Sequence, residues 1–138
     1  MTKYQHDSHT IQFELIKTIE DASNDTLEKI INIINSVNIL SYDRIKIPSM
    51  TYERKEDRLV INCEYIKGTI LDPKIHTHFR SIIFEDFVLS ENEYSVTDYH
   101  PRNFIIQDKT FDLYYVDIYG IQKSNIDTRK KSFNRYFL

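Results

Sequence analysis

"TDYHPRNFII" (residues 97–106) sets an aspartate, a His-Pro pair and an asparagine directly ahead of an apolar run. Asp98 and Asn103 stand five positions apart, an odd polar preface to a strand. A second apolar run downstream gives the stretch its meaning. "LYYVDIYG" (113–120) carries Asp117 fourteen positions after Asn103. A strand, the tight turn "DKTF" and a returning strand would bring Asn103 and Asp117 together at the two open ends of a hairpin. An Asp and an Asn converging there offer hard oxygen ligands, the kind magnesium takes alongside phosphate oxygens. Asp98, just before, would face an acceptor hydroxyl. The structural alternative is that Asp98 and Asn103 cap turns and Asp117 merely ends a strand.

Upstream, "SNDTLEKIINIINSV" (23–37) predicts a helix. Leu27, Ile30, Ile31, Ile34 and Val37 recur at helical spacing behind cap candidates at 23–25. "TIQFELIKTIED" (10–21) fits either period, with Ile11, Phe13 and Leu15 alternating as in a strand and Ile11, Leu15, Ile16 and Ile19 forming a helical face. "RIKIPSMTYE" and "RLVINCEYI" read as two strands around the polar turn "RKED", and Gly68 is expected to let the chain change direction after them. "DPKIHTHFRSIIFEDFVLS" (72–90) predicts a second helix. Asp72 would cap it, Pro73 would take its first position, and Ile75, Phe79, Ile82, Ile83 and Phe87 would form its stripe. The basic and aromatic C-terminal "RKKSFNRYFL" is read as a solvated end with a few aromatics tucked back, ahead of the alternative of a binding patch. Helices and hairpins in this order give an α+β fold and not a doubly wound sheet.

The bulk properties narrow the function classes. With 138 residues and 41% hydrophobic content, one folded domain is expected (1–138). A net charge of −3 gives no electrostatic invitation to nucleic acid. No apolar stretch approaches the roughly 20 residues of a membrane helix. A single cysteine, Cys63, excludes an internal disulfide and, with a polar start, fits a cytoplasmic protein with no membrane partner. Two glycines in the whole chain leave almost nothing from which to build a glycine-rich phosphate loop. His76 and His78 on one helix would point to different faces, and no Cys or His cluster supports a zinc site around them.

Four pieces in order resemble the protein-kinase-like phosphotransferases, including the aminoglycoside, lipopolysaccharide and atypical kinase branches. "DYHPRN" is similar to their catalytic loop, in which Asp, four residues and Asn are followed about a hairpin later by a metal-binding Asp. "VDIYG" resembles the strand-end element carrying that Asp, with one extra residue before the glycine. "LVINCEYIKGTIL" resembles the strand, hinge and glycine joining the two kinase lobes, and the helix at 73–89 would precede the catalytic loop. The likeness spans roughly residues 45–120.

By this resemblance the fold would be a reduced kinase-like one, with a small N-terminal lobe (1–66), a hinge and a truncated C-terminal lobe (67–138). Asp98 would orient an acceptor, and Asn103 and Asp117 would hold Mg2+. Backbone groups of Glu64, Tyr65 and Ile66 would hold the adenine of ATP. Lys17 would pair with phosphate and Glu28 with Lys17, although Lys17 also reads as a solvated lysine and Glu28 as a capping-box partner of Asp25. The implied function is a Mg2+–ATP-binding protein transferring a phosphoryl group to a hydroxyl. The alternative is a catalytically inactive kinase-like module that binds a protein partner. The departures are specific. No glycine precedes Gly68, Val96 stands where the family loop has His, and only eighteen residues follow Gly120. Missing parts would leave apolar surface that a second copy could cover as a homodimer.

Overall fold

The structure is a computed structural model describing residues 2–6, 10–16, 26–39 and 44–138. The chain forms two compact units, one from 1–39 with 48–65 and one from 40–47 with 66–138.

In the first unit, strands β1 (Thr2–His6), β2 (Thr10–Ile16), β3 (Met50–Arg54) and β4 (Arg58–Glu64) form an antiparallel sheet ordered β1-β2-β4-β3, with helix α1 at Thr26–Ile39. The ambiguous run at 10–16 is a strand because β4 provides a full-length partner, with Ile11 opposite Cys63, Phe13 opposite Ile61 and Leu15 opposite Leu59. All five apolar positions expected on the helix, Leu27, Ile30, Ile31, Ile34 and Val37, are buried, and so are Met50, Leu59 and Ile61. Cys63 is partly buried, and burial pushes its thiol up to about 11, so it is an unreactive packing residue.

The second unit contains a sheet ordered β5-β7-β8 (Gly68–Ile70, Phe104–Gln107, Leu113–Tyr115) and the two-stranded pair β6-β9 (Tyr94–Val96, Ile121–Lys123). Lys46 extends the larger sheet by bridging to β8, its N–H donating to Leu113 O and its carbonyl accepting from Tyr115 N, both at 2.9 Å. Gly68 does not act as a bend. It sits within β5 opposite Gln107, where an added Cβ would lie 2.0 Å from the Ile106 carbonyl oxygen, so glycine is needed for close approach.

The expected helix at 73–89 starts later. Residues 73–75 form a turn around Asp72, whose Oδ1 accepts from Lys74 N at 2.9 Å and whose carbonyl accepts from His76 N at 2.7 Å. Ile75 is therefore 72% exposed and not part of the stripe. A 3₁₀ turn (Thr77–Phe79), helix α2 (Arg80–Ile83) and a π-helical turn (Phe84–Val88) follow. Asp86 in the π turn is buried, and its Oδ2 accepts from the backbone N–H of Arg44 (2.9 Å) and Ile45 (3.0 Å).

The C-terminal stretch keeps Lys130, Lys131 and Arg135 exposed and tucks Phe133 and Phe137 back, as expected, with Arg129 the buried exception. It forms helix α3 (Ile126–Phe137), capped by the Asn125 side chain accepting from Thr128 N at 2.9 Å. Its inward face is Arg129, Phe133 and Phe137, all buried at four-residue spacing. Arg129 is only 2% exposed and forms no ion pair among the described residues. Five hydrogen bonds to neutral oxygens hold it instead, from Nε to Ser124 Oγ and from its terminal nitrogens to the carbonyls of Val88, Ser90, Asn92 and Ser124. The guanidinium thus closes the open carbonyl end of the π turn and fastens α3 to it. Among the described residues no helix is long and apolar enough to cross a membrane.

Arg129→Met keeps the stem and removes every one of these donors. It is expected to destabilise the protein by at least about 2 kcal/mol in urea unfolding, because buried carbonyls lose charge-assisted bonds. An unchanged midpoint would show that α3 is not held this way.

Candidate functional site

Strand pairing in the second unit explains how residues far apart in sequence meet. β6 pairs with β9 antiparallel, with Val96 opposite Ile121. β7 pairs with β8, with Phe104 opposite Tyr115. The connection from β6 to β7 (97–103) and that from β8 to β9 (116–120) consequently run side by side. Backbone bonds lace them at both ends, Thr97 N to Gly120 O at 2.7 Å and Val116 N to Asn103 O at 2.8 Å. Asp98 and Asn103 lie in the first connection and Asp117 in the second. The three residues singled out in the sequence are brought together.

Both aspartates also have a local role. Asp98 Oδ1 accepts from His100 N at 3.1 Å, and Asp117 Oδ1 accepts from Tyr119 N at 3.1 Å. The two aspartates therefore cap turns as well as converge. Asp98 Oδ2 accepts no hydrogen bond among the described residues. Asn103 is 7% exposed, and its Nδ2 is buried with no hydrogen-bond partner, although the amide lies close enough to the Tyr115 hydroxyl to favour the phenol's ionised form. A half-turn of that amide presents its oxygen instead, so Asn103 can donate or accept at this point.

Sequence reasoning missed Tyr115 and the steric reason for Gly120. The Tyr115 hydroxyl donates to the Asp98 carbonyl at 2.9 Å, crossing from one connection to the other. Burial, then the charges of Asp117 and Asp98, push this phenol far up, so it stays protonated and remains a donor. Gly120 is where the hydroxyl needs space. A Cβ there would lie 1.8 Å from the Tyr115 hydroxyl oxygen and 3.4 Å from Asp98 Cβ. A buried tyrosine is expected to need a partner, but no local pattern in "LYYVD" says that the partner is seventeen residues upstream.

The electrostatics are strained towards a cation. Burial raises the Asp117 carboxyl above its ordinary value, the bond from Tyr119 N opposes this, the Asp98 charge adds to it, and Arg102 offsets part of it. Two carboxylates and an amide supply hard oxygen donors, the kind magnesium takes alongside phosphate oxygens. No group of three or more His, Cys, Asp and Glu side chains is placed to hold a metal among the described residues.

The remaining expected site residues lie elsewhere. Glu64 ends β4, its N–H donating to Ser49 O at 2.9 Å and its Oε1 accepting from Ser49 N at 3.2 Å. Tyr65 closes the first unit and the buried Ile66 opens the second stretch of the other. Glu28, in the first turn of α1, accepts from Arg54 Nε at 3.3 Å. Lys17 lies outside the described residues. No protein-family model matches the chain, and no curated protein matches it.

The raised Asp117 carboxyl sets a sign. The folded state holds this proton more tightly than the unfolded chain, so Asp117 subtracts stability as pH rises from the ordinary aspartate value of 3.8 through its own raised value. Asp117→Asn keeps an oxygen for Tyr119 N and removes the charge. Its melting temperature is expected to equal or exceed wild type at pH 7, with the gap closing at acid pH. A variant less stable at pH 7 would mean that the carboxylate serves as a structural cap.

Proposed function

We propose that the chain is a small kinase-like phosphotransferase that binds Mg2+–ATP and passes the γ-phosphoryl group to a hydroxyl. The observation that carries this reading is the side-by-side placement of the Asp98–Asn103 loop and the Asp117 turn, laced by backbone bonds and by Tyr115. Their order and spacing match the loop and strand-end elements that the sequence resembles. In this reading Asp98 offers its open Oδ2 to the acceptor hydroxyl, orienting it and taking up its proton as the phosphoryl group arrives. Asn103 and Asp117 hold the metal. Magnesium would supply positive charge to the phosphate oxygens, and binding it would relieve the repulsion that Asp117 feels from Asp98. By the resemblance alone, Lys17 and Glu28 form the phosphate-positioning pair, and Glu64, Tyr65 and Ile66 receive the adenine. Phosphoryl transfer depends on positioning and charge stabilisation. A chain without a glycine-rich cover over the phosphates is accordingly expected to turn over slowly.

That same absence of glycine ahead of Gly68 favours a second reading, a catalytically inactive kinase-like module that binds a protein partner. One experiment separates the two. At a hundredfold excess over its dissociation constant, Mg2+–ATP stabilises the folded state by about 2.7 kcal/mol, which raises the melting temperature by several degrees. The shift is expected to vanish with a chelator and in Asp117→Asn. Slow hydrolysis or transfer of labelled phosphate is expected in wild type and should be lost in Asp98→Asn. Equal silence of wild type and Asp98→Asn with the thermal shift intact would establish the binding module. No magnesium-dependent shift at millimolar nucleotide would end the phosphotransferase reading.

A further inference from the structure

We propose that the acceptor carries a phosphate group, held beside Asp98 by Arg102, Arg135 and the ring edge of His100. The proposal rests on the phosphotransferase reading for the word acceptor, while the anion site itself stands on its own geometry. The basic C-terminal stretch is a helix that docks on the Asp98 loop. Ser132 Oγ accepts from Tyr99 N at 3.2 Å, and one turn later Tyr136 places its ring 5.1 Å from that of His100. The Arg135 guanidinium lies 5.4 Å from the Tyr136 ring centre. His100 is in turn tied to Asp98, donating its backbone N–H to Oδ1 at 3.1 Å, and its Nδ1 accepts from Arg102 N at 3.1 Å. Arg102 and Arg135 are exposed.

Elsewhere Arg44, Lys46, Arg54, Arg58 and Lys123 form ion pairs with carboxylates. Arg102 and Arg135 form none with the described residues, although Arg102 is near enough to bias Asp117. A guanidinium laid on a tyrosine face is held in place while the N–H edge of its fork stays open, which suits two-point binding of a phosphate. Residues 126–138 set Arg129, Lys130, Lys131 and Arg135 against Asp127, a local positive excess in a chain of net charge −3. The helix that carries this excess meets the Asp98 loop through Ser132 and through the tilted contact of Tyr136 with His100.

The test titrates the 15N-labelled full chain with inorganic phosphate at constant ionic strength. Saturable shifts are expected at the amides of His100, Arg102, Arg135 and Tyr136. The Arg102→Gln/Arg135→Gln double variant should weaken them at least tenfold, and Lys74→Gln/Lys109→Gln less than twofold. Shifts that do not saturate, or that respond equally to both double variants, overturn the proposal. Asp117→Asn is expected to abolish the Mg2+–ATP response and leave the phosphate shifts in place. If the phosphate shifts disappear with it, or are displaced by saturating Mg2+–ADP, the arginines serve the nucleotide and the proposal falls. A phosphate site that persists in a wild-type chain unresponsive to Mg2+–ATP sinks the phosphotransferase reading and leaves the anion site standing.

Discussion

The hydrogen bond from the Tyr115 hydroxyl to the Asp98 carbonyl is the constraint on which the site depends. A phenol this deeply buried cannot ionise beside two carboxylates, so it must donate, and the Asp98 carbonyl is the acceptor it reaches across the two connections. Satisfying it fixes how close the loop after β6 comes to the turn after β8. Gly120 is a consequence, because any side chain there would occupy the space of the hydroxyl. The short ladder of β6 with β9 then holds the approach from the far side.

With the two connections locked, Asp98 and Asp117 share one small volume, and their repulsion is part of the folded state. At Asp117 the backbone N–H of Tyr119 and the charge of Arg102 offset part of it. Asn103 adds a buried amide nitrogen with no partner. Buried groups left in this condition lower stability, and a bound cation with phosphate oxygens is the chemistry that would complete them. The resemblance to the kinase-like phosphotransferases was carried by these same residues, which is why geometry and motif lead to one proposal.

Much of this was legible in the sequence where periodicity is strong. The α1 stripe, the β3–β4 hairpin and the β7–β8 hairpin follow from apolar spacing alone, and Asp98, Asn103 and Asp117 converge because the last of these hairpins forms. The run at 10–16 satisfied two periods at once, and only the partner strand β4 decides between them. Helix α3 was hidden because its inward face begins with Arg129, a residue that marks the outside of a helix unless carbonyls such as those of Val88 and Ser90 await it. Strands β6 and β9 are three residues each, too short for any pattern. Tyr115 was illegible for a related reason. Its role exists only through a contact between two loops whose proximity the short ladders create.

Paramagnetic Mn2+–ATP probes directly whether Asp98, Asn103 and Asp117 form one metal–nucleotide site. In 15N spectra of the full chain, substoichiometric Mn2+–ATP is predicted to broaden the amides of 98, 103 and 117 first, and Asp117→Asn to remove that broadening. Broadening that instead begins at Glu91, Glu93 and Asp127, the acidic residues around Arg129, would contradict a shared site.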